Sequence, residues 1–101
     1  MAQSIKLGND TYLDASGIVG IKGVLSGAAN IDSMSTAQTA GVYYLNNVST
    51  APVTYGTLII IAAYTTPNLA AFQILISGNA IYVRQNYGSW GGWYKHTGTA
   101  V

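Results

Sequence analysis

Apolar and polar residues alternate along this chain in short runs, separated by glycine, asparagine and aspartate. Ile5 and Leu7 flank Lys6, Gly8-Asn9-Asp10 supplies turn chemistry, and Thr11-Tyr12-Leu13 runs to a second turn at Asp14-Ala15-Ser16-Gly17. This pattern predicts a hairpin of two short strands over residues 4–19. An isolated hairpin is marginal in water, so it is expected to dock on the rest of the chain or on neighbouring subunits. Residues 20–34 are ambiguous: Val24, Leu25, Ala28, Ala29 and Ile31 fit one or two helical turns, which Gly23 and Gly27 weaken. A polar connection rich in Ser, Thr and Gln follows over residues 33–39.

Strand signals dominate from there. Ala40-Gly41-Val42-Tyr43-Tyr44-Leu45 reads as a strand closed by Asn46-Asn47, and residues 52–56 form a turn-rich lead. The strongest strand covers residues 57–64, where an unbroken apolar run predicts burial on both faces. After a loop at Thr65-Thr66-Pro67-Asn68, strands over 71–76 and 80–85 are joined by Ser77-Gly78-Asn79, the clearest hairpin in the chain. Residues 86–88 read as a loop and 90–95 as a final strand or extended segment. The expected fold is all-β: a small, mainly antiparallel sheet or sandwich with an N-terminal hairpin and at most one short helix. Three parts are expected: an attachment segment at 1–22, a connector at 23–39 with a possible short helix, and a β-rich domain at 40–101.

Composition narrows the function. Charged residues make up 7% of the 101, far below a typical soluble domain, and half of the chain is apolar. The acids are Asp10, Asp14 and Asp32, and the bases are Lys6, Lys22, Arg84 and Lys95. Nucleic-acid faces and polybasic membrane anchors need clustered Lys and Arg, so neither partner is expected. A net charge of +1 gives a lone subunit little colloidal protection, which favours a homo-oligomer that buries apolar surface. With no cysteine and one histidine, His96, no disulfide, thiolate metal site or cofactor is expected. The opening Met1-Ala2-Gln3-Ser4 lacks the basic and apolar stretches of a secretory signal, and the apolar run over 58–63 is too short for a membrane span.

Candidate chemistry gathers near the C-terminus. Residues 82–95 hold both tryptophans, three of the eight tyrosines, two of the four basic residues and three glycines. Grouped amphipathic aromatics either line a core or make a binding platform. As a platform, Trp90, Trp93 and Tyr87 would stack on the C–H face of a pyranose while Arg84 and Asn86 met its hydroxyls. As core, both tryptophans would fill the interior or a subunit interface. Arg84 could grip an acidic glycan, or pair with Asp32 and stack on Trp90 or Trp93. Glycosidase chemistry needs two carboxyls about 5–10 Å apart; Asp10 and Asp14 sit in turn contexts, and Asp32 has no second carboxylate near it in sequence. The candidate saccharide-binding set is Arg84, Asn86, Tyr87, Trp90 and Trp93, with no catalytic or metal-binding residue.

Five patches occur in order: Thr39-Ala40-Gly41-Val42-Tyr43-Tyr44, Tyr55-Gly56-Thr57-Leu58-Ile59-Ile60, Phe72-Gln73-Ile74, Ile81-Tyr82-Val83-Arg84-Gln85, and Trp90-Gly91-Gly92-Trp93-Tyr94-Lys95. Together they resemble the small knob module of phage tail fibres and R-type pyocin fibres, over roughly residues 30–97. The N-terminal residues 4–17 are similar to the openings of baseplate and fibre proteins in phages of Gram-positive hosts. The resemblance implies a homotrimeric, non-enzymatic tip at the distal end of a virion tail or extracellular tail-like particle. Its implied partners are a host cell-surface glycan and another tail or baseplate protein, the latter held through the N-terminal segment. Knob modules usually lie inside longer fibres, so a 101-residue chain with its own Met1 is expected to be a fragment or a small protein that attaches to another component.

Overall fold

A computed structural model describes residues 4–6, 12–14, 21–64 and 70–101, with side chains described over 21–63 and 70–101. β1 (Ser4–Lys6) and β2 (Tyr12–Asp14) pair antiparallel, Ser4 opposite Asp14, as the hairpin pattern predicts. The two turns expected beside them, the carboxylates of Asp10 and Asp14, and the 65–68 loop lie outside the described residues.

The remaining strands form one six-stranded sheet in sequence order: β3 (Gly23–Gly27), β4 (Gly41–Val48), β5 (Tyr55–Tyr64), β6 (Ala70–Ser77), β7 (Ala80–Asn86) and β8 (Tyr94–Thr97). From β4 to β8 every neighbour is antiparallel, and β3 joins β4 in parallel. The described residues are therefore mostly β, one six-stranded mixed sheet together with the β1–β2 pair, rather than a sandwich. Residues 23–27, which fitted a helical turn, are extended instead. They are held at the sheet edge by pairing Gly23 with Tyr43 and Leu25 with Leu45, a distant contact that overrides weak local preference. Among the described residues, helical geometry is confined to a single 3-10 turn at Ile31–Ser33, where the Asn30 side chain accepts a hydrogen bond from the Asp32 amide.

The β6–β7 hairpin closes through Gly78-Asn79, with Gly78 at φ 60, the value a type II′ turn requires at its first central residue. β4 runs three residues beyond the expected strand because Asn47 adopts φ 58 and displaces the register, so that Val48 points inward again. Alternation along the strands sends Tyr43, Leu45, Leu58, Ile60 and Leu75 to one face. There they form a core with Ile31 and Val48, and Leu25, Met34, Val53 and Trp93 pack against it. That inner face is thus covered by the loops after β3 and β4 and by the tail before β8. The expected two-sided burial of β5 holds on the inner side only: Leu58 and Ile60 are buried, Ile59 is half-buried and Ile61 is 45% exposed.

Candidate binding site

The tail motif is organised by Arg84, which faces inward from β7 and is 8% exposed. Its guanidinium lies 4.2 Å from the ring centre of Trp90 and 4.4 Å from that of Trp93, a cation in contact with both indole faces. In the guanidinium plane, Nε and Nη2 donate to Gln73 Oε1 at 2.9 and 2.8 Å, and Nη2 reaches Asp32 Oδ1 at 2.7 Å. Burial pushes the Arg84 pKa below its ordinary value, and the hydrogen bond and charge of Asp32 oppose that shift.

Gln73 completes the arrangement. It is fully buried, and its Nε2 donates to the carbonyls of Ile31 and Met34 at 2.7 and 3.1 Å. Trp90 Nε1 donates to the Asp32 carbonyl at 2.6 Å. One cluster thus pins the 30–34 loop and the tail to the inner face of the sheet. Gln73 was absent from the candidate set, and a lone amide between Phe72 and Ile74 in an apolar strand is the one sequence feature that could have pointed to it, because a buried amide must find partners.

The candidate residues therefore separate. Arg84, Trp90 and Trp93 are brought together by contacts within the chain, so both structural options raised for Arg84, the Asp32 pair and the indole stack, are present at once. Asn86 is 5% exposed, bridges Trp90, and holds its Oδ1 buried without a hydrogen-bond partner among the described residues. Tyr87 stands apart at 65% exposed, its ring edge-on to Phe72 at 6.4 Å.

Beside Tyr87's neighbour Phe72 runs an open groove of about 380 Å³, lined by Phe72, Val83, Gln85, Gly91, Gly92 and Tyr94 together with Arg84. The Gly91 amide donates to the Gln85 carbonyl at 2.9 Å, fixing the glycine segment along the margin of β7. Tyr94 and Gln85 are exposed, and Phe72 is half-buried. Phe72, Gln85 and Tyr94 were absent from the candidate set. Only the strand register assembles them, by placing Phe72 opposite Gln85 and Val83 opposite Tyr94. Asp32, the one aspartate whose side chain is described, is engaged by Arg84. Comparison with known family models, curated proteins and solved structures finds no match to this chain.

Proposed function

We propose that this protein is a non-enzymatic receptor-binding module of tail-fibre type, a homotrimer that recognises a cell-surface saccharide. The observation that carries the reading is the groove, which joins two aromatic side chains, Phe72 and Tyr94, with the amide of Gln85 and a strip of glycine backbone. An aromatic wall stacks on the apolar C–H face of a pyranose, and a side-chain amide can both donate to and accept from its hydroxyls. Glycine lets a broad ligand approach the backbone closely. Exposed Tyr87 extends the aromatic edge next to Phe72.

A glycan array tests this. The wild-type protein is expected to bind a restricted set of saccharides, and Tyr94→Ala/Gln85→Ala to lose that signal with unchanged melting temperature. No bound glycan, or full binding by the double variant, would remove the groove from the account. A second reading, a module that only assembles a fibre, is favoured by the apolar side of the sheet. It predicts a blank array from a fully assembled protein.

A further inference from the structure

The outer face of the sheet has no strand stacked over it among the described residues, where strands contact only their sheet neighbours. One register row crosses all six strands on this face: Val24, Tyr44, Thr57, Ile76, Ile81 and His96. The next row contains Val42, Ile59, Ile74, Val83 and Tyr94. Val24, Tyr44, Ile76 and Ile81 are respectively 58%, 39%, 41% and 43% exposed.

Charge is sparse on this surface, where Lys22 lies at the β3 edge beside Val42. Arg84 is buried on the inner side, and Lys95 alternates inward beside Tyr82, its ammonium 5.7 Å from that ring. Asp32 pairs with Arg84, and the Lys22 ammonium is bonded to the carbonyls of Gln38 and Ala40.

We infer that copies of this chain cover the outer face, sheet against sheet. An apolar sheet face is stable only when another layer buries it, and the described chain supplies a layer for the inner face alone. A surface whose one edge lysine, Lys22 beside Val42, is bonded to backbone carbonyls brings few like charges together when it meets itself, and it gives a charged partner little to pair with. Its size is sufficient. Six strands about 4.8 Å apart and roughly 20 Å long make a plane of about 500 Å². Two such planes hide about 1,000 Å², the lower bound for a specific interface, before side-chain relief is counted. The β-branched rows suit the close interdigitation of aligned sheets. The groove lies at the β6–β8 corner of the same face, so saccharide contact would fall at the rim of the association surface.

This inference rests on the sheet and not on saccharide recognition. Multi-angle light scattering with circular dichroism tests it on the full chain. The wild-type protein is expected to be an oligomer at tens of micromolar, and Ile76→Lys and Ile81→Lys to keep the β-type spectrum while self-association weakens by about 100-fold or more. Lys95→Glu, on the inner side, should leave the mass unchanged. If a lysine variant fails to fold, Ile76→Thr and Ile81→Thr serve in its place, with the same loss of mass on dilution. A dimer rather than a trimer would uphold the surface and overturn the proposed stoichiometry. A wild-type monomer, whether its face stays open or another protein covers it, would overturn the inference. So would an unchanged mass in every folded variant of Ile76 and Ile81.

Discussion

Arg84 is held by cation–π contact with two indoles and by hydrogen bonds from its guanidinium, so its neighbours contribute unequally. Arg84→Ala would leave Gln73 Oε1 buried without its donors and open a gap between the indoles, a loss of about 3 kcal/mol by urea denaturation. Arg84→Lys should recover little, because an ammonium offers neither a planar stacking surface nor a forked pair of donors. Asp32 is 53% exposed in its side chain, so Asp32→Asn is expected to cost under about 1 kcal/mol. If Asp32→Asn proved as damaging as Arg84→Ala, the ion pair rather than the stack and the glutamine would be the main constraint. The sequence placed Arg84, Asp32 and the tryptophans among possible partners, because so few charges were available to pair. Gln73 was not legible as the link, since its contacts to Ile31 and Met34 cross about forty residues and leave no local pattern.

Strands with local turns were the easiest elements to read. The β6–β7 hairpin follows from Gly78-Asn79 between alternating runs, and β5 from its β-branched run. β3 was hidden because parallel pairing has no hairpin turn beside it, and its two glycines weakened helix and strand signals alike. β8 begins at Tyr94 rather than near Trp90, because Trp90 keeps only a single bridge to Asn86 and both indoles are committed to Arg84. Gly56 shows a close strand approach that its sequence context does not reveal. A Cβ there would sit 2.9 Å from the Ile76 carbonyl oxygen and 3.0 Å from Leu75 Cδ1. Gly56→Ala should therefore push β5 and β6 apart and cost about 1–3 kcal/mol. A thermal melt matching wild type would show that the strands shift freely at that point.

At the scale of the whole molecule, the two sides of one sheet have different roles in this account. The inner side is closed by the chain's own loops and the Arg84 cluster, while the outer side is apolar and proposed to meet its own copies. Low charge and high apolar content raise the expectation of association in the composition, and the register defines the apolar rows of the surface proposed for it. The groove was the least legible part, since its residues come from β6, β7, the glycine segment and β8. If saccharide recognition and assembly belong to one molecule, each site can be weak while their linkage supplies retention. Retention on a surface coated with the glycan identified by array measures this directly, with wild type compared against the folded but dissociated Ile76→Lys variant. The account predicts that dissociation shortens retention by about 100-fold or more while affinity for the soluble, monovalent sugar stays the same. Equal retention of the two proteins, or no retention of either, would contradict it.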